Sequence, residues 1–165
     1  MSSSSVQFDP NAAAAADSGI FGLPHTESDA TLVYLPVPWE VTTSYGGGTS
    51  QGPAAILEAS RQVDLFDLDV LKPYEAGLWM RPISEEVLSW NRQGKDAAQK
   101  IIEALQKGQD PAEFQESLDR VNELGTRLNQ FVYEESLKIL GSGKIIGLVG
   151  GDHSTPFGAF QAMGE

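Results

Sequence analysis

The amino-acid sequence predicts an α/β protein built on a mainly parallel sheet, and three observations carry that expectation. Two short, almost continuously apolar runs, residues 31–37 (T-L-V-Y-L-P-V) and 144–149 (K-I-I-G-L-V), read as strands buried on both faces. Between them lie long stretches in which apolar residues return every three or four positions, the period of a helix with one buried face. Each strand run also ends in a glycine- or proline-bearing loop that leads into a helix start. Strand, turn and helix in that order are the alternation of a parallel sheet.

Residues 1–30 mix Ser, Ala, Asp, Gly and Pro with few large apolar side chains, which predicts an irregular N-terminal arm. Residues 31–165 then form one α/β unit with no visible internal repeat. The strand at 31–37 is closed by Pro36 and Pro38, and a loop over 39–51 carries Gly46, Gly47 and Gly48. Gly52-Pro53 opens a helix, because proline suits a first helical position whose N–H has no partner in any case. Residues 63–69 (V-D-L-F-D-L-D) alternate, with Phe66 out of step, and predict a second, edge-like strand or extended segment. Ser84, followed by Glu85 and Glu86, starts a helix that Gly94 is expected to kink or split and that Gly108 closes. Asp110-Pro111-Ala112-Glu113 restarts it as cap, proline and acid. From there Phe114, Leu118, Val121, Leu124, Leu128, Phe131 and Val132 form one apolar face, read as core. Gly141-Ser142-Gly143 ends that helix ahead of the second strand.

Composition excludes several classes. Eleven Lys and Arg against 23 Asp and Glu give a formal charge of −12, so the chain repels phosphate backbones and no nucleic-acid partner is expected. No apolar run approaches the roughly 18 residues of a membrane span, and no membrane partner is expected. The absence of cysteine removes disulfides, zinc–thiolate sites and thiol nucleophiles together. With no basic stretch ahead of an apolar one at the N-terminus, these features predict a cytoplasmic protein.

The chemistry concentrates in Gly150-Gly151-Asp152-His153-Ser154, at the carboxyl end of the second strand run. Sites in open α/β sheets gather at those ends, where loops present side chains on a rigid support. An imidazole there offers a lone pair to a divalent cation. Asp152 is a candidate for fixing its ring, and Ser154 or Thr155 for capping the helix that Pro156 opens. One histidine makes no metal site, since metals need several converging ligands. His25 reads as a surface residue of the arm. Trp39 and Tyr45 flank the glycine loop and read as loop packing, with substrate contact the alternative. Asp64, Asp67 and Asp69 read as a solvated face.

The Gly150–Ser154 string resembles the first metal-binding signature of the ureohydrolase family, the arginases and agmatinases. Gly52-Pro53-Ala54-Ala55-Ile56 with Glu58-Ala59-Ser60 looks like the agmatinase-type opening, so the resemblance spans roughly residues 31–158. It implies part of an arginase-like three-layer sandwich, cut short after the first metal-ligand strand. It makes His153 one ligand of a centre of two divalent ions, Mn2+ foremost and Ni2+ as the alternative. The reaction it implies is hydrolysis of a guanidino C–N bond in a small cationic substrate, such as agmatine, guanidine, arginine or a guanidino acid, with release of urea. Homotrimers or homohexamers are implied as well. Two further family signatures, Asp-Ala-His-x-Asp and Ser-x-Asp-x-Asp-x-x-Asp-Pro, are absent from the 165 residues. They would bring the other ligands, so the chain reads as an incomplete, inactive portion with no catalytic residue of its own and no assignable substrate-binding residue. The long stretch over 81–143 and the extended N-terminus resemble the branch that includes guanidine hydrolases. A non-catalytic ureohydrolase-like subunit is the alternative, and a phosphate-binding module is disfavoured by the wrong glycine spacing.

Overall fold

A computed structural model describes residues 8–43 and 45–165. Three parallel strands, β1 (Leu32–Val37), β2 (Leu78–Met80) and β3 (Ile145–Gly150), make one sheet in the order β2-β1-β3. Four α-helices connect and follow them: α1 (Gly52–Ser60), α2 (Glu85–Gln106), α3 (Gln115–Gly141) and α4 (Phe157–Met163). The α/β class with an all-parallel sheet is therefore what the chain adopts.

β1 is central because it is the most continuously apolar strand and pairs on both sides. Leu32 aligns with Leu78 of β2 and with Ile145 of β3, and the β3 register runs on to Val37 opposite Gly150. Alternation puts Val33, Leu35 and Val37 on one face, all at most 2% exposed. Leu124, Leu128, Val132 and Ile139 of α3 and Val87 and Ala98 of α2 join them in one core cluster, with Ile146 and Leu148 packed against it. The three-and-four spacing along residues 114–132 is thus a core face, each full burial contributing about 1.5–3 kcal/mol. On the other face, Tyr34 meets Phe21 edge to face at 6.3 Å between ring centroids. Gly147 makes room there, since a Cβ at 147 would lie 2.6 Å from the Tyr34 ring.

The structure corrects three local expectations. Residues 63–69 form no strand. Asp64 Oδ1 accepts the Phe66 N–H, and Asp67 Oδ1 accepts those of Asp69 and Val70, so the acids fold the backbone into turns instead of leaving it free for a ladder. The second strand is β2, whose three residues are too few to show a period. Gly94 neither kinks nor splits α2, which runs unbroken for 22 residues. Its lack of a side chain admits Val41, whose Cγ2 would lie 2.6 Å from a Cβ at 94. Finally, Asp110 caps a 3-10 turn, Pro111–Phe114, and the α-helix begins only at Gln115.

Over its described residues, 8–30, the arm is irregular yet packed. Ile20 and Leu23 are 1% exposed, Ser60 Oγ accepts the Phe21 N–H, and the Arg61 guanidinium donates twice to the Ser18 carbonyl. Arg81, at the end of β2, pairs with Glu27 of the arm and Glu135 of α3. Composition undercounted this segment because two well-placed side chains and a few long-range hydrogen bonds offset its ordering entropy. No helix among the described residues is long and apolar enough to cross a membrane.

Candidate metal-ligand turn and its glycine loop

Parallel pairing of β1 and β3 brings their carboxyl ends side by side, so residues 38–43 and 151–156 leave the sheet together. Asp152 N–H donates to the Trp39 carbonyl at 2.9 Å, which ties the two exits to each other. The glycines serve close approach and not an unusual backbone angle, for neither Gly150 nor Gly151 has positive φ. A Cβ on Gly151 would sit 1.7 Å from Trp39 O, and one on Gly150 would sit 2.7 Å from Thr155 Oγ1. Any side chain at 151 therefore forces the two exits apart.

Asp152 shapes the turn through its side chain. Oδ1 accepts the Ser154 N–H at 2.9 Å and the Ser154 hydroxyl at 2.5 Å, Thr42 Oγ1 donates to Oδ2 at 3.5 Å, and Thr155 Oγ1 donates to the Asp152 carbonyl at 3.0 Å. The sequence suggested two other roles, and the structure corrects both. Asp152 closes its own turn and makes no hydrogen bond to the His153 ring among the described residues. Thr155 does not cap α4, which begins after Pro156 at Phe157 without a side-chain cap.

His153 is exposed at the tip of this turn. Its ring borders two clefts. One, of about 350 Å³, is lined by Thr42, Thr43, Tyr45, Asp152 and Ser154. The other, of about 380 Å³, is lined by Asn129, Ser154, Pro156, Phe157 and Phe160. Tyr45 is 97% exposed on the loop side, whereas Trp39 is 3% exposed and belongs to the core. A larger cleft, about 1140 Å³ between the arm and α1, contains neither His153 nor the loop that faces it.

One residue that sequence reasoning passed over organises the loop. Glu40, two positions past Pro38, is 3% exposed, and its Oε2 accepts the N–H groups of Gly48 at 2.7 Å and Ser50 at 3.0 Å and the Thr49 hydroxyl at 3.1 Å. Lys95 of α2 pairs with Oε1, and the Asn91 side chain accepts the Glu40 N–H at 2.7 Å. Burial alone would raise the Glu40 pKa. The Lys95 ammonium, the two backbone N–H groups and the Thr49 hydroxyl outweigh it and hold the carboxyl at about 2. Only the placement of an acid three residues past a buried strand could have signalled this role.

The other candidates lie elsewhere. His25 contacts the Tyr74 carbonyl and Asp29, before β1 begins, and so sits at the amino end of the sheet, opposite His153. Asp64, Asp67 and Asp69 are exposed in their turns. Among the described residues no three His, Asp, Glu or Cys side chains converge as a metal site would require. The donors present, one exposed imidazole beside a carboxylate already engaged by Ser154, fit a single ligand position of a larger centre.

A family model described as the arginase family matches residues 30–165, from just before β1 through the His153 turn to α4. The chain belongs to the arginase family. Among curated relatives it is similar to two N(1)-aminopropylagmatine ureohydrolases of Thermus thermophilus strains. Identity is 28% with each, over 138 residues (83% of this chain, 36% of the relative) and 148 residues (88% and 39%). It is also similar to the N(1)-aminopropylagmatine ureohydrolase of Synechocystis, 50% identical over 40 residues, which are 24% of this chain and 13% of that protein. The chain thus spans well under half the length of the relatives it matches. No solved structure matches it.

Proposed function

We propose that the whole protein is a metal-dependent ureohydrolase that cleaves a guanidino C–N bond of a small cationic substrate and releases urea, with His153 as one metal ligand. The observation that carries this reading is the exposed imidazole at the carboxyl end of β3, on a turn fixed by Gly151 and Asp152, in a chain of the arginase family. The substrate class is agmatine-like, extending to aminopropylated agmatine by likeness to the relatives and to guanidine by the sequence features of 81–143.

Two divalent ions, Mn2+ or alternatively Ni2+, would contribute the Lewis acidity that activates a water for attack on the guanidinium carbon. The residues of this chain hold and orient. His153 would bind one ion through a ring nitrogen, and the Asp152 turn fixes where the ring starts from. The loop bearing Thr42, Thr43 and Tyr45 walls the cleft beside it. In this reading the remaining ligands lie outside residues 1–165, which by themselves release no urea, and trimeric or hexameric assembly completes the picture.

The test is urea release by the whole protein with added Mn2+ or Ni2+, on agmatine, aminopropylagmatine, guanidine and arginine. We expect turnover that His153→Ala lowers at least a hundredfold while the melting temperature of the metal-free protein is unchanged, because the ring is exposed. Full turnover by His153→Ala, or urea release by residues 1–165 alone, would overturn the assignment.

A further inference from the structure

Glu40 is one residue from Trp39, and the two residues face different partners. The Glu40 side chain holds the glycine loop through Gly48, Thr49 and Ser50. The Trp39 carbonyl holds the His153 turn through the Asp152 N–H. Glu40 is itself fixed from α2, by Lys95 on its side chain and Asn91 on its backbone. A buried carboxylate with an ammonium, two backbone donors and a hydroxyl is costly to leave half-satisfied, so its presence pins the backbone on both sides. Gly47 leaves room for this arrangement, since a Cβ there would come 3.1 Å from Lys95 Nζ and 3.5 Å from Glu40 Oε1. Residues 39–43, 45–50 and 151–154 are thereby held as one unit, and the cleft between Tyr45 and His153 is its seam.

We propose that Glu40 is a positioning residue that holds the loop bearing Thr42, Thr43 and Tyr45 in a set place relative to His153, and that this loop is the substrate-selecting wall of the cleft. The Glu40 carboxylate bonds to none of the cleft-lining residues, while its backbone carbonyl accepts the Thr43 hydroxyl at 3.1 Å, so it acts through the loop and through Trp39. The selecting part of the inference rests on the ureohydrolase reading, whereas the coupling of loop to turn does not.

Amide hydrogen exchange on the whole protein tests the coupling, and steady-state kinetics test the selection. Glu40→Gln keeps the shape but presents an NH2 to donors. Should it fail to fold, Lys95→Met and Thr49→Val, which remove one partner each from half-exposed or exposed positions, probe the same tie. We expect exchange at Gly48, Ser50 and Asp152 to rise together at least tenfold, with the amides of Leu128 and Val132 unchanged. For whichever guanidino substrate is turned over, KM should rise at least tenfold, kcat should fall less than threefold, and Glu40→Asp should restore part of the loss. Unchanged protection at Gly48 and Ser50 would remove the tie, and loosening there without loosening at Asp152 would remove the coupling to the His153 turn. A fall in kcat at constant KM would overturn the selecting role. Exchange is measured whether or not urea is released, so loss of the ureohydrolase reading and loss of the coupling are separate results.

Discussion

Glu40 has a consequence for stability that can be read from its surroundings. Its carboxyl is held at about 2 against an ordinary 4.5, so the folded state binds the proton less readily than the unfolded chain. Its contribution is fully present above about pH 4.5, declines as pH falls toward 2, and is gone below that. Urea unfolding of the wild type should therefore lose on the order of 2–3 kcal/mol between pH 6 and pH 2.5 through this group. Glu40→Gln should be less stable at pH 6 and flatter across that window. Asp29, brought to about 2 chiefly by the Thr26 hydroxyl and N–H, titrates over the same range, so the variant keeps a residual slope. An unaltered slope in Glu40→Gln would mean that the carboxyl is not tied as described. The same scale shows why His153 was legible and Glu40 was not. A histidine between two glycines and a helix start stands out along the chain. An acid after Trp39 acquires its meaning from Gly48, Ser50 and Lys95, which lie 8, 10 and 55 positions away.

At the scale of elements, helix periodicity and the two long apolar strand runs were sound guides, and short polar–apolar alternation was not. The apolar face of α3 appears in the spacing of Leu124, Leu128 and Val132, and all three are at most 1% exposed. β2 left no comparable trace because a three-residue strand is made by its partner, β1, and not by its own pattern. The alternation at residues 63–69 misled because Asp side chains answer the local backbone first, and the ladder never forms. Gly94 supplies a test of the same contrast. Helix propensity alone makes Gly94→Ala stabilising by about 1 kcal/mol. Contact with Val41 should reverse the sign and leave the variant destabilised by roughly 1–3 kcal/mol, as overpacking does. Chemical denaturation decides between the two, and a gain in stability would show that Val41 has room to yield.

At the scale of the whole molecule, the sheet is covered unevenly. Helices α2 and α3 close one face of β1, while β3 is an edge of the described sheet with Ile145 57% exposed. Next to the His153 turn, α4 exposes Phe157, Phe160 and Met163 to more than half of their surface. Contiguous apolar side chains of this kind associate. The 165-residue chain should self-associate at micromolar concentration, and Phe160→Glu should shift its sedimentation toward the monomer at unchanged helicity. A monodisperse monomer in the wild type would argue that this face is tolerated in water.

The amino-acid sequence by itself determined the α/β class, the two long strands, the helical middle and the placement of His153 after a strand. Each of these is written in neighbours along the chain, through apolar period, glycine, proline and cap residues. Only the tertiary structure decided that β2 completes the sheet, that Gly94 admits Val41, that Gly151 lies against the Trp39 carbonyl and that Glu40 governs the loop beside His153. These depend on groups brought together by parallel pairing of β1 and β3, and pairing of distant segments has no local signature.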